Sequence, residues 1–559
     1  MELSLSSICL FKEYRLDNSV IDKQPKIKRR LKTLKQYLNQ FQLIELKWID
    51  LDLFHGLVFI FNHGVISSIG FSEDYSILSI HHEHFILNKL LSKKIASIEL
   101  TKKFLIITYF EPFVACVPLE QNIKFYETGN KFKIKTNAAV KILNLEKFVK
   151  TLSHRNLTLS ERFAILWWNH CHLNQTVSSD TLKNNILILS LEDLAIWPID
   201  YSIEGEIVQV DFVFKEPCKF GLLNKHQNFL YNLVYQLFEI IYSTNRAEKQ
   251  IDEDDFLKRN TIESVQLVFK IQIPLEKPCI RAEFTRCQDK ILLLCDDESL
   301  MLFNIEQNIL YSLNSSMPID RFHIYPLDSI FVTCNQSGSI SIYDMAFNNI
   351  QYRLRRKNFE TEHFDLNQSD MIARRLQFLS PKILALFSQT DRDFKIKNSY
   401  SADCCFHLII IPMTISFQRL IIEYVHRNLY EEAINVQRII NWNCSYDEAY
   451  SGLQSLFQNL IKLPFDDKID DHIESTLASF LLPMTPIDYK IFEKILPSIR
   501  QLAIKFFYHL LRNGSLEKAH RLAIELKSPR LFLLLSHHYR INSDDEQALK
   551  AYEQAKSCV

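Results

Sequence analysis

The sequence predicts a multidomain chain, β then α: an N-terminal β-propeller followed by a C-terminal α-solenoid of helix hairpins. Three observations carry this expectation. Between about residues 43 and 415 the apolar residues form short runs paired across polar turns, the pattern of antiparallel hairpins. Beyond about residue 416 they recur at helical spacing on one face. Glycine is scarce, nine in 559 residues, and neither G-x-G-x-x-G nor G-x-x-x-x-G-K-[S/T] can be written. Phosphate-cradling loops need glycine for close backbone approach, so the common nucleotide-binding folds are excluded. The expected division is 1–42, an N-terminal segment with a basic helix; 43–415, the propeller with insertions; and 416–559, the solenoid.

The N-terminal "MELSLSSICLFKEYRL" has no cationic start and only a short apolar run, so it does not read as a signal peptide. No run reaches the roughly 18 apolar residues of a membrane span, and a cytoplasmic location is expected. "KQPKIKRRLKTLKQYLNQF" (23–41) is basic and helical in period, with Leu31, Leu34, Leu38 and Phe41 on one face. It fits a helix packed on the domain with its lysines in solvent, or a peripheral contact with acidic lipid or a partner.

Five hairpins follow. "GLVFIFNHGVISSIGF" turns at Asn62-His63-Gly64, and "KFLIITYFEPFVACVPL" at Glu111-Pro112. "NNILILSLEDLAIWPI" turns at Glu192-Asp193, "DKILLLCDDESLMLFNI" at Asp296-Asp297-Glu298, and "DSIFVTCNQSGSISIYDM" at Gln336-Ser337-Gly338. In the last two, Phe303-Asn304 and Tyr343-Asp344 close equivalent strands 40 residues apart, and Trp197-Pro198 ends its strand in the same manner. A period near 40 with an aromatic–Asp-like close is the WD-repeat signature, so the propeller is expected to be WD40-like, with a β-sandwich as the competing fold. Residues 226–242 look helical, and 245–260, 353–375 and 388–403 look like polar insertions.

The helical region opens with a pair over 417–442, broken near Asn428. In "KFFYHLLRNGSLEKAHRLAIEL" (505–526), Phe506, Phe507, Leu510 and Leu511 share a face with Ala503 just ahead of it, Gly514 suits the left-handed position after a helix, and Ser515 can cap the next one. Ser543 and Glu546 form a capping box ahead of the last helix. Ala433, Ala519 and Ala548 each follow an acidic turn, where a small side chain lets paired helices approach.

Candidate chemistry is thin, and no catalytic, cofactor-binding or metal-ligating residue is assigned. "HHEH" (81–84) lacks the H-E-x-x-H spacing and reads as a polar turn after a strand. "DDKIDDHIE" (466–474) lacks the alternating oxygens and glycine of a calcium loop and reads as a solvated loop. His509 and His520 border apolar helix faces and read as partly buried or solvent-edge side chains. The twelve cysteines form no C-x-x-C. Cys279, Cys287 and Cys295, eight apart, read as buried thiols on successive strands in a reducing compartment. Lys+Arg at 65 against Asp+Glu at 66 offers no nucleic-acid footprint. The last three residues, Ser557-Cys558-Val559, match the pattern of peptides that add a strand to PDZ domains.

Several ordered blocks resemble the Fritz family: "LIIEYVHRNLYEEAINVQRIINWN" (420–443), "LASFLLPMTP" (477–486) and "IRQLAIKFFYHLLRNGSLEKAHRLAIEL" (499–526). Upstream, "IPLEKPCIRAEFTRCQDKILLLCDDESLMLF" (273–303) and "NQSGSISIYDMAFNNIQ" (335–351) resemble its blade strands, and "LWWNHC" (166–171) and "AIWPID" (195–200) match more loosely. Chains of that family continue past the solenoid in a polar tail, whereas this sequence ends at Val559. The resemblance implies a non-enzymatic scaffold working with Inturned-like and Fuzzy-like subunits in a ciliogenesis and planar cell polarity effector complex. It further implies recruitment of intraflagellar transport components, contact through the complex with a Rab-type small GTPase, links to septins and actin, and a place at the ciliary base, axoneme and cell cortex. A vesicle-coat or intraflagellar transport subunit of the same architecture is the alternative.

Overall fold

The computed structural model describes residues 3–4, 10–15, 25–40, 43–50, 55–61, 65–71, 77–83, 95–100, 104–118, 141–148, 155–169, 186–192, 194–199, 201, 203, 205–214, 216–225, 231–243, 261–313, 315, 317–351, 353–356, 359–361, 371–390, 404–411, 413–464, 466–542 and 544–557. Seven blades form the N-terminal part: 43–83, 95–144, 156–198, 207–273, 279–313, 321–351 and 371–410. A single antiparallel sheet cannot bury both faces, and radial stacking of blades solves that. The first strand of each blade is innermost. Around most of the ring successive first strands lie side by side, and Met371–Ser380 against Leu43–Asp50 brings the seventh blade to the first. Blades 5 and 6 are further tied where the Ile324 N–H donates to Glu283 Oε2 at 2.9 Å.

The ring closes with the N-terminus. Leu10–Arg15 pairs antiparallel with Cys404–Ile410, Lys12 opposite Ile410, and becomes the outer strand of blade 7. Its other edge pairs in parallel with Arg353–Arg356, and Leu3–Ser4 pairs in parallel with Asn349–Gln351 of blade 6. The segment read as 1–42 thus supplies strands to two blades. The basic stretch forms α1 (Pro25–Gln40). Leu31, Leu34 and Leu38 are buried among Leu57, Phe59, Ile383 and Leu408 at the seam of blades 1 and 7, while Arg29 and Lys32 stay in solvent. Phe41 lies outside the described residues.

Four of the expected hairpin turns fall between paired strands; Asp193, within one of them, is outside the described residues, as is the Asn62-His63-Gly64 turn. Elsewhere the structure corrects the sequence reading. Residues 233–243 are not helical: Leu233–Ser243 is the third strand of blade 4, between Glu216–Lys225 and Thr261–Ile273. Burial alternates from Gln236 to Ile241, a period of two that the continuous apolar run hides. Residues 226–230 and 245–260 lie outside the described residues. The polar stretch after 353 is a hairpin, Arg353–Arg356 with Phe359–Thr361, added to the edge of blade 7, and 371–375 and 388–390 belong to blade strands. Of "HHEH", His81, His82 and Glu83 lie in the strand Ile77–Glu83 rather than in a turn, with His82 bonded to Ser67 Oγ at 2.9 Å and to the Arg30 carbonyl at 3.0 Å.

The helical part comprises α2 (Phe417–His426), α3 (Tyr430–Ile439), α4 (Trp442–Leu460), α5 (Asp467–Leu481), α6 (Tyr489–Arg512), α7 (Leu516–Leu526), α8 (Pro529–Ile541) and α9 (Asp545–Ser557). "DDKIDDHIE" is therefore the start of α5, not a loop. Asp466 accepts from the Lys468 N–H, Asp467 and Asp470 sit in the first turn where the helix dipole favours acids, and Ile473 and Leu477 face the core. Ala433, Ala519 and Ala548 are buried between helices. Ser515 holds the cap position of α7 without a side-chain cap bond, and Ser543 lies outside the described residues. At α9 the Gln547 N–H donates instead to Asp544 Oδ1 at 3.2 Å.

Phe506, Phe507 and Leu510 are fully buried, and Gly514 follows α6 with φ +77°. A Cβ at Gly514 would meet nothing within 4 Å, so a side chain there costs backbone strain alone. Gly514→Val is expected to destabilise the folded chain by about 1–2 kcal/mol in urea titration; an unchanged midpoint would contradict the left-handed assignment.

Candidate interaction site at the propeller–solenoid junction

The two halves share one continuous core. Leu292, Phe322, Leu386 and Ile409 of the last three blades pack in the same cluster as Leu420, Phe457 and Phe506 of the helices. At its centre is Asp344, the residue that closes the third strand of blade 6 and is fully buried. Its Oδ1 accepts the N–H groups of Ala346 and Asn348, each at 2.9 Å. Its Oδ2 accepts Asn348 Nδ2 at 2.9 Å and the Tyr424 hydroxyl of α2 at 2.7 Å. One carboxylate thus shapes the turn that follows its strand and holds the first solenoid helix.

Neighbouring groups clasp the crossover chain. The Tyr325 hydroxyl donates to the Pro381 carbonyl at 2.7 Å and accepts the Ile415 N–H at 3.1 Å, and Ser329 Oγ donates to the Ile415 carbonyl. Ser416 then caps α2, and the Phe417 N–H donates to Glu448 Oε2 of α4 at 3.1 Å. Asp289, in the turn of blade 5, bonds to Asn441, the cap residue of α4. In that same turn lies Cys287, which is not a buried thiol on a strand but is disulfide-bonded to Cys444 of α4. Cys279 and Cys295 face each other across the hairpin, and equal spacing places Cys287 at its apex.

Of the residues marked in the sequence, Phe303 and Tyr343 are the penultimate residues of the third strands of blades 5 and 6, and Gly338, at φ +83°, turns the hairpin before Tyr343. Trp197 lies on the fourth strand of blade 3, opposite Ile188. Phe506, Phe507, Leu510, Gly514 and Ala519 lie in the helical core or its turn, away from the junction turns. Tyr424 and Glu448 carry no sequence motif; only the pairing of an apolar helix face with a buried acid on another element exposes their role.

A family model for the WD repeat-containing and planar cell polarity effector protein Fritz matches residues 14–551, across both halves and the junction. The chain belongs to the Fritz family. It is 21% identical over 570 residues to the fritz homolog of Xenopus laevis, covering 96% of this chain and 75% of that protein. The human homolog is 20% identical, covering 94% of this chain and 70% of that protein. This Fritz-family chain is therefore a WD-repeat planar cell polarity effector protein with a seven-bladed propeller and a helical region.

A cavity of about 240 Å³ opens between the junction turns, lined by Arg286, Cys287, Asp328, Asn441, Cys444 and Glu448 among others. Its charges are handled unequally. Burial alone would push the Asp289 carboxyl up, but the Lys290 ammonium and the Thr285 hydroxyl hold it below the ordinary carboxylate range. Burial, then the charge of Asp289, push Asp328 up to about 7, although its Oδ2 accepts the Arg286 N–H at 2.9 Å. Its Oδ1 has no hydrogen-bond partner among the described residues. Burial pushes Asp344 up to about 6 despite its four donors. Among the described residues no group of three or more His, Cys, Asp or Glu side chains could hold a metal ion.

Two outcomes are expected from this geometry. Asp344→Ala strands the buried Tyr424 hydroxyl and three part-buried donors and should cost about 3–5 kcal/mol in chemical denaturation, whereas Tyr424→Phe should cost about 1.5–3 kcal/mol. The double variant should cost less than the sum, because both remove the same bond. The second concerns pH. Asp328 binds a proton in the folded chain that the unfolded chain releases between about pH 4 and 7, so its stabilising contribution is full at low pH and is lost as pH rises through 7. Asp328→Asn should flatten that decline and raise stability at pH 8 by about 1–3 kcal/mol, measured as urea midpoints across the pH range.

Proposed function

We propose that this chain is a non-enzymatic scaffold subunit of a ciliogenesis and planar cell polarity effector complex, assembled with Inturned-like and Fuzzy-like subunits. The observation that carries the reading is the Fritz-family match over residues 14–551, which takes in the propeller, the solenoid and the junction between them. A scaffold has to present several surfaces in a fixed relation, and a propeller welded to a solenoid by a shared core does that. On this reading the complex supports cilium assembly, recruits intraflagellar transport components, reaches a Rab-type small GTPase, and organises septins and actin. Its place is the ciliary base and axoneme and the cell cortex, with the exposed cations of α1 favouring a peripheral contact with the plasma membrane. Among the described residues no helix is long and apolar enough to cross a membrane, so any membrane contact made by these helices is peripheral.

Affinity purification of the tagged full chain from ciliated cells, followed by mass spectrometry, tests this. Inturned-like and Fuzzy-like proteins should be enriched at near-equal amounts with the bait. Recovery of vesicle-coat or intraflagellar transport core subunits in their place would overturn the proposal and favour a coat-type role for the same architecture.

A further inference from the structure

We propose that Cys287 and Cys444 are a reversible thiol–disulfide pair, a redox modification site that staples the propeller to the solenoid. The two residues lie 157 positions apart in sequence, on opposite sides of the junction, with Cα atoms 6.7 Å apart. That separation lies within the span one disulfide covers.

Three features mark this pair out from the buried cysteines. The first is access. Cys287 and Cys444 are both partly exposed and both line the junction cavity of about 240 Å³, so a small thiol can reach them. By contrast Cys116, Cys279 and Cys334 are buried, and burial pushes their thiols up to about 12, which leaves almost no thiolate to react.

The second is anchoring on the propeller side. Gln288, next to Cys287, donates from Nε2 to the Asp211 carbonyl of blade 4 at 2.8 Å and accepts the Tyr235 hydroxyl at 3.1 Å. The turn that carries Cys287 is therefore fixed to two blades, and a bond to it is a bond to the propeller as a body.

The third is placement on the solenoid side. Cys444 is in the first turn of α4, and Ser445 directly after it leaves helical geometry, at φ −138° and ψ 45°. The link therefore grips a short turn ahead of a break, close to where Asn441 bonds Asp289. Oxidation adds a covalent tie beside the Asp344–Tyr424 bond, and reduction leaves the junction to its non-covalent contacts.

The chemistry balances with a low-molecular-weight disulfide such as glutathione disulfide as oxidant. One cysteine thiolate attacks it, forming a mixed disulfide and releasing one thiol. The second cysteine then attacks the protein-bound sulfur, forming the Cys287–Cys444 bond and releasing the second thiol. Two protein thiols lose two electrons and two protons, and the oxidant gains them.

The test uses the folded full chain equilibrated in glutathione buffers from fully reduced to fully oxidised, quenched with N-ethylmaleimide and mapped by mass spectrometry without reduction. A Cys287–Cys444 cross-linked peptide should appear as the oxidised fraction rises and disappear when reduced glutathione is added back. Proteolysis of the crossover chain near residues 411–416 should slow on oxidation in the wild type and be unaffected in Cys287→Ser and Cys444→Ser. Absence of the cross-link at every ratio, or its appearance only in urea, would overturn the proposal. A cross-link that reduced glutathione cannot remove from the folded chain would overturn its reversibility.

Discussion

The structure turns on a buried carboxylate that must satisfy donors from two bodies at once. Asp344 has four donors, three from the turn after its own strand and one from Tyr424 of the first solenoid helix. An ionised carboxylate accepts all of them, whereas an amide would present a donor to donors. Burial disfavours the charge and the donors favour it, so the residue that closes a blade also determines where the solenoid starts. Ile415, clasped by Tyr325 and Ser329 one step before the Ser416 cap, leaves the chain little choice of direction between the two halves.

The same economy appears in the ring. Blade 7 receives its outer strand from Leu10–Arg15, so closure joins the chain's first described strands to the last ones before the helices. Separating propeller and solenoid would expose the apolar flank of blades 6 and 7, where Ile409 packs in the same cluster as Ile415 and Leu420. Strand closure, shared core and carboxylate clamp therefore support each other.

Much of this was legible in the sequence where the information is local. Hairpins show as two apolar runs around a polar turn because side chains alternate in a strand, and the helix pairs show through their i, i+3, i+4 spacing. The 40-residue period is deeper than the aromatic pair that revealed it. Gln288 and Asp328 both adopt positive φ forty residues apart, and so do Glu298 and Gly338, so blades 5 and 6 repeat their backbone turns while using different side chains. The scarcity of glycine has the same origin: several left-handed positions are filled by other residues, so the turns leave little trace in composition.

What the sequence hid is non-local. Leu233–Ser243 read as a helix because a run with nearly every position apolar carries no period until its partner strands show which side faces the core. The acidic opening of α5 read as a loop because acids look solvated, although the first turn of a helix is where they are favoured. Cys287 read as a core thiol because a spacing of eight suggests repetition, when in a hairpin it marks the two paired ends and the apex between them. In each case the deciding neighbour lies on another strand or helix. The junction is where such neighbours are densest: Asp289 meets Asn441, Asp344 meets Tyr424, and Cys287 meets Cys444. All three pairs join a turn or strand end of blade 5 or 6 to one of the first three solenoid helices or their caps. The propeller and solenoid are therefore joined into one packed body along this seam.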